Sequence, residues 1–328
     1  MSGLVDSFGR VHRDLRISLT DHCNLRCTYC MPAEGVPWLP RNTLLSVTEL
    51  MRIVEIAVAE GVTEVRLTGG EPLLRPDIVD VVSAINSIQS APEISITTNG
   101  IMLPRLAQRL ADAGLARVNI SLDTLDRARF KEMTRRDRLD DVLDGIEAAK
   151  AAGMTPVKIN SVLMRGVNDH EAPSLLSWAM ENDLQLRFIE QMPLDAGHTW
   201  SREGMITAAE ILTSLRAEYE LEPIAGRGAA PAERFLVDGG PHTVGIIASV
   251  TMPFCGACDR LRLTADGQLR SCLFSSTESD LREPLRSGAS DEEVAAILHR
   301  CLAGKLAGHG INEPGFLQPP RPMSAIGG

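Results

Sequence analysis

The chain has 328 residues, of which 44% are hydrophobic and 23% charged, and its net charge is −10. That length suits one large domain or two modest ones, with enough apolar material for a sizeable core. The negative charge argues against nucleic acid or an anionic membrane as a partner, so an anionic ligand needs a local cluster of basic residues.

The opening MSGLVDSFGR carries no apolar targeting core, and no apolar run is long enough to span a bilayer. The expected setting is cytoplasmic, where the seven cysteines stay reduced and serve as ligands or catalytic groups rather than disulfides.

Strand-like runs occur at 15–20, 64–68, 93–98, 117–122, 156–164 and 184–190, with helix-like stretches between them. In 48–60, Leu50, Val54, Ala57 and Val58 share one helical face, with Thr48 placed to cap the helix and Gly61 to end it. Segments 107–113 and 141–152 run into Gly114 and Gly153 in the same way. Six β/α units in succession predict an α/β fold built on a parallel sheet with right-handed crossovers. Six units fall short of the eight of a full TIM barrel, so the expected form is a partial, open TIM-like barrel.

The pattern changes near residue 195, which divides the chain into a barrel domain over 1–195 and a C-terminal α+β region over 196–328. In the second region 225–231 reads as loop. Short strands follow at 233–237, 243–250, 260–264 and 268–271, and a helix at 291–302. The tail from Ile311 is rich in Pro and Gly and reads as loop without helix.

Six cysteines fall into two groups of three. Cys23-Asn-Leu-Arg-Cys27-Thr-Tyr-Cys30 puts three thiols in one compact loop after the first strand. Iron–sulfur cubanes take four thiolates as a rule, so three leave one iron open to a further ligand. A closed zinc site needs a fourth ligand, and the nearest candidate, His22, adjoins Cys23. The second group is Cys255, Cys258 and Cys272. Its C-x2-C pair also suits a zinc half-site, and spacing alone leaves zinc open there. Arg260 and Arg262 lie between these cysteines, on one face of a strand. They suit an anionic, nitrogen-rich ligand or, more plainly, a solvated strand edge. Gly69-Gly70-Glu71-Pro72 closes the second strand; the glycines permit close backbone approach and Pro72 fixes the turn.

The first cysteine loop and the Gly-Gly-Glu-Pro turn one β/α unit later make the chain similar to the radical SAM superfamily. Within it the chain resembles the GTP 3′,8-cyclase family. That likeness runs from Asp14-Leu-Arg16-Ile-Ser-Leu-Thr through the second cysteine group to Met323-Ser-Ala-Ile-Gly-Gly328. It implies two 4Fe–4S clusters, held by Cys23, Cys27, Cys30 and by Cys255, Cys258, Cys272, with S-adenosylmethionine (SAM) on the open iron of the first. It implies SAM contacts at Tyr29, Gly70, Ser121 and Met192, and GTP contacts at Arg16, Arg66, Thr97, Lys158, Arg260, Leu261 and Arg262. Catalytic roles fall to Arg260, Arg262 and the tail glycines Gly327 and Gly328. The implied reaction is cyclisation of GTP to (8S)-3′,8-cyclo-7,8-dihydroguanosine 5′-triphosphate, the first step of molybdenum cofactor biosynthesis. Its implied partners are an electron donor and a pyranopterin monophosphate synthase that takes the product, and a homodimer is left open. Cys301 reads as a buried structural thiol.

Two rivals stand beside this reading. One is another radical SAM enzyme with an auxiliary cluster and a different substrate, such as a peptide-modifying maturase, for which three auxiliary cysteines are few. The other is a zinc-stabilised binding module without catalysis, which leaves the Gly-Gly-Glu-Pro turn and the six β/α units unexplained.

Overall fold

A computed structural model describes residues 3–327. Six strands match the six expected: β1 (Asp14–Ser18), β2 (Glu64–Thr68), β3 (Glu93–Thr98), β4 (Arg117–Ser121), β5 (Lys158–Val162) and β6 (Gln185–Ile189). They lie side by side in chain order, all parallel. The C-terminal region adds β7 (Leu221–Ile224), β8 (Glu233–Val237), β9 (Thr243–Ile247), β10 (Arg260–Leu263), β11 (Gln268–Arg270) and β12 (Ser279–Asp280).

These strands extend the same sheet, whose order is β12-β11-β10-β1-β2-β3-β4-β5-β6-β9-β8-β7. Strand β10 is parallel to β1 and β9 is parallel to β6, so eight parallel strands run in a row. The row does not close, because β10 and β9 each turn away into an antiparallel hairpin. The barrel is open, as expected, and the sheet continues across residue 195.

Alternation sorts the strand residues onto two faces. Leu15, Ile17, Val65, Leu67, Ile94, Ile96, Val118 and Ile120 are at most 1% exposed and join the helices in the main core. Their neighbours Arg16, Arg66, Ser95, Thr97 and Asn119 point the other way, into the lumen. The sequence thus writes apolar residues toward the helix layer and polar ones toward the site.

The first helix, Val47–Ala59, begins one residue before Thr48, and Ser46 caps it in place of Thr48. Ser46 Oγ accepts from the Glu49 N–H at 3.2 Å, and the Ser46 N–H donates to Glu49 Oε2 at 2.8 Å. The partner three residues on decides the cap, and Glu49 stands in register with Ser46.

The tail departs from the loop expected of it. Met323–Ile326 forms one helical turn. Pro322 supplies a φ of −72° at its start, and the Met323 N–H donates to Leu194 O at 2.9 Å. Ile326 is buried in a satellite core with Leu194, Val250 and Phe274, so burial holds a turn that composition disfavours. Cys301, in the helix Asp291–Ala303, is only half-buried where the sequence suggested full burial.

Candidate functional site

Strand β1 leads into the first cysteine loop at the mouth of the lumen. Cys23, Cys27 and Cys30 line one cavity of about 170 Å³ with Tyr29, Gly70 and Ser121. Burial pushes the Cys23 thiol up to about 11, with Glu71 adding to the rise, and the Cys30 thiol up to about 12, with Cys23 and Asp195 adding. Backbone N–H groups already aim at two of the sulfurs, Leu25 at Cys23 and Ser324 at Cys30. Among the described residues, no three His, Cys, Asp or Glu side chains could hold one metal ion together. Three thiols spread around a cavity suit a cluster, which takes each thiolate on a different iron. The donor set therefore fits a 4Fe–4S group with one iron left free.

Gly69 and Gly70 hold the end of β2 against this loop. The Gly70 N–H donates to Thr20 O at 2.7 Å and the Glu71 N–H to His22 O at 2.7 Å. A Cβ on Gly70 would stand 2.4 Å from the carbonyl oxygens of both Asp21 and His22, so only glycine fits.

Two carboxylates that sequence reasoning left unassigned anchor the cavity wall. Glu71 accepts from the Thr98 hydroxyl at 2.6 Å and from the Asn99 N–H at 2.7 Å. Asp123 accepts from the Tyr29 hydroxyl at 2.7 Å and from the Val162 N–H at 2.8 Å. Burial outweighs these bonds and raises both carboxyls to about 6. Glu71 stood inside a quoted motif. The signal at Asp123 was an acid just past the end of a strand, at the face where barrel sites form.

The expected SAM set divides. Tyr29, Gly70 and Ser121 share the first cavity, together with Thr97, which was expected on GTP. Met192 lies elsewhere, in the cavity of the second cysteine group and in a small one beside Tyr29 and Cys30.

The second group is built around β10 and β11. Cys255 sits in a short turn, Cys258 precedes β10, and Cys272 follows β11. All three line a cavity with Arg260, Arg262 and Phe254, and Arg260 lies 4.4 Å over the Phe254 ring. Burial raises the Cys255 thiol. At Cys258 burial is outweighed by Arg260 and Lys305, which pull the thiol below its ordinary range.

Strand pairing sets arginines side by side. Arg16 on β1 lies opposite Arg262 on β10 and opposite Arg66 on β2. Asp14 Oδ2 is 3.4 Å from Arg16 Nε. Burial, reinforced by neighbouring guanidinium groups and only partly offset by Asp14, lowers Arg16 to about 10 and Arg262 to about 9. Like charges placed opposite one another in a sheet repel, and among the described residues Asp14 is the carboxylate that faces this row.

Lys158 is lowered to about 8 by burial and by the nearby arginines, Arg187 first. Arg187 on β6 is the member the sequence reading missed, and burial lowers it to about 10. Its strand neighbour is Gly245, where a Cβ would come within 3.0 Å of Arg187 Cγ, so the small residue makes room for the arginine. The signal was present in the lone Arg of an apolar run, as at Arg16.

Leu261 is 1% exposed and packs in the main core, so its side chain lies on the opposite face from Arg260 and Arg262. The tail reaches the arginine row: Arg262 Nη1 donates to Gly327 O. A Cβ on Gly327 would lie 2.6 Å from Thr68 Cγ2. Gly328 lies outside the described residues.

The family model described as the radical SAM superfamily matches residues 17–179, and that of molybdenum cofactor synthesis C matches 184–311. A GTP 3′,8-cyclase of Streptomyces coelicolor is 62% identical, across 99% of this chain and 96% of its own. A GTP 3′,8-cyclase 2 of Mycobacterium tuberculosis is 56% identical, across 99% and 92%. Among solved structures, Streptococcus suis SuiB superposes with a TM-score of 0.61 at 16% identity, over 96% of this chain and 77% of that one. The anSMEcpe protein with bound AdoMet superposes with a TM-score of 0.57 at 15% identity, over 91% and 82%. These structural likenesses show the fold.

Proposed function

The chain belongs to the GTP 3′,8-cyclase family of the radical SAM superfamily, and from that membership we propose how its own residues divide the work. Its activity is the radical SAM cyclisation of GTP, the first step of molybdenum cofactor biosynthesis, and it uses SAM and 4Fe–4S clusters. When bound at Cys23, Cys27 and Cys30, the cluster and SAM supply one-electron, hydrogen-abstracting chemistry.

The protein's part is placement and charge. Tyr29, Gly70 and Ser121 shape the SAM side of the lumen, with Tyr29 fixed by Asp123. Arg16, Arg66, Lys158 and Arg187 supply the positive charge that a triphosphate needs. Cys255, Cys258 and Cys272 hold the second cluster. Arg260 and Arg262 orient the guanine against it, and the Gly327 carbonyl fixes Arg262 in place. Met192, which borders the second cavity, serves as a divider between the two ends of the lumen. An external electron donor supplies reducing equivalents, and a pyranopterin monophosphate synthase takes the product onward. A reducing, cytoplasmic setting suits both thiol groups.

The observation that carries this division is the row Arg262–Arg16–Arg66 across three adjacent strands, with Arg16 and Arg262 buried, Arg66 partly so, and Asp14 the carboxylate that faces all three among the described residues. The test is anaerobic. Reconstituted protein is given SAM, GTP and dithionite, and the products are followed by chromatography with mass detection. GTP-dependent 5′-deoxyadenosine, with a new species isomeric with GTP, supports the reading. 5′-Deoxyadenosine formed with GTP untouched overturns the substrate assignment.

A further inference from the structure

Lys305 follows the helix Asp291–Ala303 and is 4% exposed. A lysine so buried needs partners for its charge. Its Nζ lies 2.8 Å from His12 Nε2, 2.9 Å from Arg260 O, 3.4 Å from Cys258 O and 3.6 Å from Cys258 Sγ. None of these is a carboxylate. The negative charge it faces comes from Cys258 and Cys272, and the nearby positive charge from Arg10 and Arg260.

The imidazole is fixed in one role. His12 Nδ1 lies 3.3 Å from Leu4 O, to which it donates, so Nε2 is free to accept from the ammonium. The segment that carries His12 is itself braced. Asp6 accepts from the Phe8 N–H at 2.9 Å and from Arg10 Nε at 2.5 Å. Arg10 in turn donates to Cys255 O at 2.8 Å and to Leu306 O at 2.8 Å. One polar network therefore runs from the N-terminal segment to the Cys255 carbonyl and the Cys258 sulfur.

We propose that Lys305, held by His12, is a positioning residue of the second cysteine group that donates to the Cys258 sulfur and raises the reduction potential of the cluster bound there. The proposal rests on the reading that this group holds a cluster. A cationic donor on a ligand sulfur draws off electron density and favours the more negative, reduced state.

The test uses the full chain with Cys23, Cys27 and Cys30 replaced by Ala, so that any cluster is the second one. Iron and sulfide are measured first; a parent without them overturns the cluster reading and the Lys305 proposal with it. In a loaded parent, Lys305→Met is expected to move the midpoint potential, read by EPR-monitored titration, to more negative values. It is also expected to shift the iron–thiolate bands in resonance Raman spectra, and Lys305→Arg to restore most of both. A loaded Lys305→Met protein with unchanged potential and bands overturns the proposal and leaves the cluster reading standing. If Lys305→Met takes up no iron, His12→Leu, which frees the ammonium of one anchor, must give a smaller shift in the same direction. No shift in that variant overturns the proposal.

Discussion

Arg187 and Lys158 show how a lumen can be charged with no carboxylate in ion-pair contact with either among the described residues. Lys158 opens β5 beside Ile159, Arg187 stands between Leu186 and Phe188 on β6, and burial is the largest cause lowering both. Replacing Arg187 by Gln removes a charge-assisted donor worth about 1.5–3 kcal/mol, so the GTP dissociation constant should rise about 10- to 100-fold. Calorimetry checks this, with SAM binding expected to stay as it was. Lys158 predicts a pH dependence. In the free protein it loses its proton as pH rises through about 8, while a bound triphosphate favours the charged form. GTP affinity should therefore fall above pH 8, by at most about tenfold per unit. Lys158→Met should abolish that slope and be weaker at pH 7. A slope that survives in the Met variant assigns it to another group.

At the scale of elements, the contact between the cysteine loop and the Gly69-Gly70 turn is the tightest constraint. Gly70→Ala forces the turn away from two carbonyl oxygens, since its Cβ would stand 2.4 Å from each. The chain is expected to fold, with circular dichroism unchanged, but to bind SAM at least about tenfold more weakly, because overpacking displaces backbone. Equilibrium dialysis with SAM reads the effect.

The first cysteine loop, this turn and all six barrel strands were legible in the sequence because each is a local pattern: spacing, punctuation or alternation. What was not legible depended on distant partners. Ser46 outranks Thr48 through Glu49, the turn at Met323–Ile326 exists because Ile326 finds a satellite core, and β7 carries Pro223 yet pairs with β8. Asp123 and Glu71 were invisible as anchors because what marks them is the donors that converge on them from other strands. Leu261 entered the ligand list through the family resemblance; strand alternation turns its side chain to the core, which leaves its backbone as the part that could face a ligand.

Across the whole molecule, the first cysteine group follows the C-terminal end of β1 and the second flanks the N-terminal end of its parallel neighbour β10, so the two lie at opposite ends of the strands. Their independence is testable. Cys258→Ala should lower iron from about eight to about four per chain, leaving the first cluster loaded and SAM binding intact. Loss of all iron would mean that the two groups assemble as one unit.

The pairing of Asp14 with Arg260 also has a consequence for how the protein is made. Strand β1 leaves the ribosome long before its outer neighbour β10 is made. Ser324, whose backbone aims at Cys30, is encoded later still. The cavity of the first cysteine group is therefore finished only after Met323 and Ser324, which line it, have been made. A nascent or truncated chain exposes an unpaired strand edge, the kind of surface that chaperones and proteases act on, and it lacks an enclosed lumen in which a radical could be sheltered. The order of synthesis therefore leaves the first cavity open until Met323 and Ser324 are in place to line it.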